Sequence, residues 1–169
     1  MKSFELHENI AVEPALAVTA QTAGAESKIT GETIDLKDCH DLTVVFDGSA
    51  TLDAAEGLDL AALELQESDD GATWDTAEDL VTAGGAGSTR IAYSAGAATV
   101  QFSAKVKVDL AKAKKRKRYI RLNPTFDLSR GATDTLSVSG VAIKGGLREV
   151  KNTQAAGGGA VVSTDILLD

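Results

Sequence analysis

Between about residue 30 and residue 148, side chains switch between apolar and polar at every second position, in short runs broken by turn clusters. A period of two puts the apolar set on one face of an extended strand, and it is incompatible with an amphipathic helix. Leu42 to Phe46 (LTVVF) is a β-prone run that Asp47-Gly48 is expected to end. In Leu58 to Ser68, Leu63 and Leu65 alternate with Glu64 and Gln66. The cluster Ser68-Asp69-Asp70-Gly71 reads as a tight turn, with Trp74 opening the return strand. Thr30 to Leu36 places Ile34 and Leu36 on one face. Thr99 to Val108 sets Val100 and Phe102 against Gln101 and Ser103, and continues through Val106 and Val108. Tyr119 to Leu122 is a strand that Asn123-Pro124 is expected to stop. Thr135 to Lys144 alternates Leu136 and Val138 against Ser137 and Ser139, with a bulge expected at Gly140.

Seven to nine short strands with intervening turns define an all-β chain, a jelly-roll-like β-sandwich with extended N- and C-terminal arms. The expected division is an N-terminal arm over 1–30, a sandwich domain over 31–148 and a flexible C-terminal tail over 149–169. Helix is expected at most over Thr76 to Val81, with a possible turn within Asp53 to Ala62. The tail joins a Gly-rich hinge, Ala155 to Gly159, to the apolar run AVVSTDILLD. It reads either as a segment that packs on a neighbour or adds a strand to an open edge, or as a frayed terminus.

Aromatic residues are only 4% of the 169, so the core must rest on aliphatic side chains. Its expected members include Val44, Phe46, Leu63, Leu65, Trp74, Phe102, Ile120, Leu122, Leu136 and Val138. The single cysteine, Cys39, excludes an internal disulfide and reads as a small buried side chain. The first residues show no apolar signal core, and no run approaches the length of a membrane span. No membrane partner is expected.

Charge is distributed unevenly. Residues 1–104 carry 4 Lys/Arg and 19 Asp/Glu (−15), and residues 105–169 carry 13 and 6 (+7), together giving the net −8. Either the halves occupy different faces and make a strong dipole, or interleaved strands cancel the charge locally. Six of the seven residues from Lys112 to Arg118 are basic: Lys112, Lys114, Lys115, Arg116, Lys117 and Arg118. Three readings stay open for them: a protein-docking surface, a solvated loop, or nucleic-acid contact. Nucleic-acid binders usually add aromatics or a docking helix, and here Tyr119 is the nearby aromatic, so nucleic acid is not the expected partner.

Chemistry-bearing motifs are absent from the sequence. The two histidines, His7 and His40, form no metal or triad motif with Cys39. The run GGAGST at Gly84 to Thr89 lacks the lysine of a phosphate loop, since Arg90 follows instead. Glu67 to Gly71 lacks the alternating acidic pattern of a calcium loop and reads as a plain turn. The expectation is no enzyme, no cofactor, no metal site and no catalytic residue.

The stretch LELQESDDGATW (Leu63 to Trp74), followed by KRYIRL (Lys117 to Leu122) and a late strand closing on Lys144-Gly145, resembles tailed-phage capsid decoration proteins. The resemblance covers roughly residues 30–148. It implies a sandwich assembled as homotrimers on the outer surface of a virion. Such a protein is made in the host cytoplasm, binds the major capsid protein and stabilises the shell by bridging neighbouring subunits. Discoidin-like carbohydrate-binding sandwiches share the turn and the Arg-Tyr-Ile-Arg strand. The alternative is therefore a carbohydrate- or receptor-binding module of a virion or tail.

Overall fold

The structure, a computed structural model, describes residues 10–22, 27–37, 39–53, 55–81, 89–108, 110, 117–128 and 131–145. All regular structure among these residues is β. The strands are β1 (Ile10–Thr22), β2 (Ser27–Lys28), β3 (Ile34–Asp35), β4 (Asp41–Leu52), β5 (Glu56–Ser68), β6 (Asp75–Val81), β7 (Thr89–Ser94), β8 (Ala98–Val108), β9 (Tyr119–Asp127) and β10 (Thr135–Gly145).

One sheet has the order β1-β10-β4-β8, and the other runs β2-β9-β5-β6, with β3 also on β9 and β7 also on β5. Short strands β2 and β3 share one edge position, and β6 and β7 share the opposite one. Counting each such pair as one leaves eight strand positions. In that count the first position pairs with the last, the second with the seventh, the third with the sixth and the fourth with the fifth. The chain is thus one long antiparallel ribbon rolled into two facing sheets, the wiring of a jelly roll.

The core forms where inner faces meet. Val44, Phe46, Leu63, Leu65, Phe102, Ile120, Leu122, Leu136 and Val138 are all buried. They share the interior with Leu42, Leu58, Leu60, Phe126 and Leu128. In β5 the alternation changes phase: Leu58 and Leu60 face inward, and so do Leu63 and Leu65. An extra residue makes this possible, because Leu60 pairs with Phe126 and Ala62 with Thr125, leaving Ala61 without a rung. A bulge resets the parity and keeps the apolar set inside. Cys39 is buried, and its Sγ donates to the carbonyl of Asp41 at 3.1 Å.

Several expectations are corrected. Ile10–Thr22, read as part of an arm, is the edge strand β1, held along β10 with Ala15 and Leu16 turned into the core. Thr76 to Val81 is strand, because pairing along β5 outweighs a weak helical preference. Asp53 to Ala62 is the β4–β5 corner and the start of β5. Asp47-Gly48 does not end β4, which stays paired to β8 through Leu52. Gly48 instead makes room for Phe102, whose Cζ would lie 2.9 Å from a Cβ there. The irregularity expected at Gly140 lies across from it, in β1 between Pro14 and Thr19, while Gly140 pairs with Phe46 in an unbroken β10–β4 ladder. Trp74 is half-buried, outside the core, with the Arg121 guanidinium 4.3 Å from its ring centre.

Asn123-Pro124 does not stop β9, which runs to Asp127. The carbonyl of Pro124 accepts from Ile29 N at 2.9 Å, so its donor-less nitrogen also faces the β2–β3 edge rather than β5. On that edge the chain leaves the ladder between Lys28 and Ile34. There Asn123 Oδ1 accepts Gly31 N at 3.0 Å, and Glu32 N donates across to Ala15 O at 2.8 Å, tying the edge to β1. The residues of the N-terminal segment before Ile10 and the whole tail over 149–169 lie outside the described residues.

Candidate docking surface

The topology gathers the charged features at one pole of the sandwich. Ile10 pairs with Gly145, Gly145 with Asp41, Leu42 with Val108, Ser68 with Tyr119, and Asp35 also with Tyr119. β8 therefore ends, and β9 begins, at the same pole as the Ser68–Gly71 turn and the start of β1.

Of the six basic residues singled out, Lys117 and Arg118 are described. Lys112, Lys114, Lys115 and Arg116 lie outside the described residues. Lys117 Nζ meets Asp75 at 2.6 Å and Asp69 at 3.5 Å, and Asp75 draws its pKa above the ordinary lysine value. Arg118 grips Asp35 through Nε at 3.1 Å and Nη2 at 2.7 Å, and its guanidinium lies 4.9 Å from the Tyr119 ring centre. That grip holds the Asp35 carboxyl below its usual range. Lys144 Nζ extends the chain of charge, donating to Glu13 at 2.8 Å and to Asp35 O at 3.1 Å. An open depression of about 430 Å³ beside these groups is lined by Leu36, Lys37, Lys117 and Arg118.

These pairs decide between the two electrostatic readings. Strands of the basic half, β9 and β10, each sit between strands of the acidic half. Lys117, Arg118 and Lys144 accordingly meet Asp75, Asp35 and Glu13 from the other half. Among the described residues the charge is interleaved, and Lys117 and Arg118, the last two members of the basic run, are part of it.

The Ser68–Thr73 turn is self-contained. The Asp70 carboxylate accepts from Ser68 Oγ at 2.8 Å, Ala72 N at 2.8 Å and Thr73 N at 2.7 Å, while Gly71 adopts a φ of 72°. The two backbone donors from Thr73 and Ala72 push the Asp70 pKa far below the carboxylate range. The local bonds use the lone pairs that a cation would need. Among the described residues no group of three or more His, Cys, Asp and Glu is placed to hold a metal. His40 is exposed beside buried Cys39, and His7 lies outside the described residues. Of GGAGST, Thr89 is described, as the first residue of β7.

The outer face of the second sheet carries a polar cluster that sequence inspection did not find. Glu64 accepts from Thr76 Oγ1 at 2.6 Å, Lys28 Nζ at 2.9 Å, Gln66 Nε2 at 3.1 Å and Asn123 Nδ2 at 3.2 Å. The Thr76 hydroxyl, then the Lys28 ammonium, contribute most to lowering its pKa to about 2. Arg121 Nε donates to Gln66 at 2.7 Å and covers Trp74. These residues come from β2, β5, β6 and β9, so only the register brings them together.

No family model matches the chain, and no curated protein matches it. Solved structures do. The VP2 subviral particle of infectious bursal disease virus aligns with a TM-score of 0.47 at 13% identity, over 83% of this chain and 33% of that one. A structure of the Gx strain of the same virus gives 0.44 at 14%, over 82% and 35%. The PBSX exported protein XepA gives 0.36 at 17%, over 94% and 43%. The chain spans about a third of the length of the first of these structures. At such values the likeness carries no functional argument.

Proposed function

We propose that this chain is a non-enzymatic structural component of a virion. More finely, it binds the outer surface of a tailed-phage capsid, as homotrimers, and bridges neighbouring subunits of the major capsid protein. One observation carries the reading. The two stretches that resemble decoration proteins lie about fifty residues apart in sequence yet form one unit in the fold. Leu65 pairs with Leu122, Gln66 with Arg121 and Ser68 with Tyr119, and Lys117 closes the unit by binding Asp69 in the turn and Asp75 beyond it. The resemblance thus follows a contiguous piece of three-dimensional structure.

The mechanism is mechanical. Each copy adds interface between shell subunits, and many repeated sites turn modest affinities into strong retention. Lys112, Lys114, Lys115 and Arg116 supply positive charge for an acidic capsid surface. The test is to add purified protein to cognate capsids stripped of external proteins. Saturable binding and a higher rupture temperature are expected, both reduced when the four residues are changed to Glu. Absence of binding at micromolar protein would end the proposal.

A further inference from the structure

The outer face of the first sheet is polar over most of its area but apolar near the pole where β10 ends. Two cross-strand rows define the patch. Pro14, Val141, Val45 and Lys105 are successive partners across β1, β10, β4 and β8, and Val12, Ile143, Thr43 and Lys107 form the next row. Val12 is 64% exposed and Val141 36%. Exposed apolar side chains scattered singly are ordinary, whereas neighbours grouped on a sheet face offer a surface on which an apolar segment can pack. Lys105 and Lys107, both exposed, border it on the β8 side.

We infer that residues 160–168 of the same chain, AVVSTDILL, are the cover. Three observations select this occupant. First, β10 ends at Gly145, two residues beyond Ile143, so the following sequence leaves beside the patch. Second, residues 146–159 give a 14-residue connection, which as a coil spans about 20 Å. Val141 lies only four residues back along β10, roughly 13 Å. Such a tether places the segment at about millimolar local concentration. Third, the segment matches the patch chemically. As an extended strand it puts Val162, Ile166 and Leu168 on one face, which suits the apolar side chains of Val12, Val141 and Ile143.

The experiment uses the full chain with a nitroxide on Ser163→Cys, Cys39 being buried. Paramagnetic broadening is read on resonances of Val12, Val45, Val141 and Ile143, with Gln66 and Arg121 on the opposite sheet as reference. The docked segment broadens the first set at least threefold more than the second. Adding Ile166→Asp and Leu168→Asp abolishes the difference, and so does the surface change Val141→Asp. Equal broadening of the two sets overturns the inference. A second sample mixes isotope-labelled chains lacking the nitroxide with unlabelled chains carrying it. Selective broadening in that mixture assigns the patch to the segment of another copy and overturns docking within one chain.

Discussion

Asn123 Oδ1 accepts the backbone N–H of Gly31 at 3.0 Å, beside the rung that Pro124 cannot complete. A buried amide therefore stands in for a strand where the edge is broken between β2 and β3. Asn123→Ala removes this acceptor and a donor to Glu64, and should cost about 1–3 kcal/mol in chemical denaturation. Gly31→Ala should cost more, since a Cβ there collides with the carbonyl of Leu122, which is backbone and cannot turn aside. A smaller loss for Gly31→Ala would contradict this account of the edge.

Glu64 makes stability depend on acidity. Its folded pKa, about 2, lies below the ordinary 4.5. The ionised carboxylate thus stabilises the fold above pH 4.5, and the contribution is lost as pH falls from there towards 2. Melting temperature should drop across that window in the native protein. Glu64→Gln should start lower at neutral pH and show a shallower fall.

Asp134, 2% exposed, joins two corners of the sandwich, accepting Asp53 N at 2.9 Å and Gly131 N at 3.1 Å. Asp134→Ala leaves both donors short of a partner and should cost about 2–4 kcal/mol, judged per buried donor. Hydrogen exchange should quicken at Asp53 and Gly131 before it quickens in β5 or β9. Uniform quickening would place the loss elsewhere.

Trp74 should matter far less than its size suggests. Its ring lies outside the core, against Arg121, so Trp74→Ala should cost about 1 kcal/mol. Phe102→Ala, which empties a buried site, should cost about 3–5 kcal/mol. Comparable losses would put Trp74 back in the core.

The period-two pattern made the sandwich legible, because Val44, Phe46, Leu136 and Val138 follow it without interruption. The same reasoning failed where a residue's meaning depends on its neighbour across the sheet. Gly48 looks like a turn until Phe102 is seen above it, and Pro124 looks like a stop until the gap beside it is known. Trp74 reads as a core residue opening the return strand, whereas its place just after the turn leaves it half-buried against Arg121. The Glu64 cluster was invisible for a related reason: Lys28, Glu64, Thr76 and Asn123 are far apart in sequence. At the basic run, composition gives the charge, but only the structure shows Lys117 and Arg118 engaged with Asp75 and Asp35.

Because Ile10 and Gly145 are direct partners, the domain is nearly closed on itself. A short peptide joining these positions should yield a permuted chain, opened instead at a loop on the far pole such as Ser94–Ala98, with the same architecture. By the same geometry, a reporter fused before β1 and one fused after β10 start from neighbouring points on the surface. If the protein coats a particle, a single copy can therefore display two different cargoes side by side.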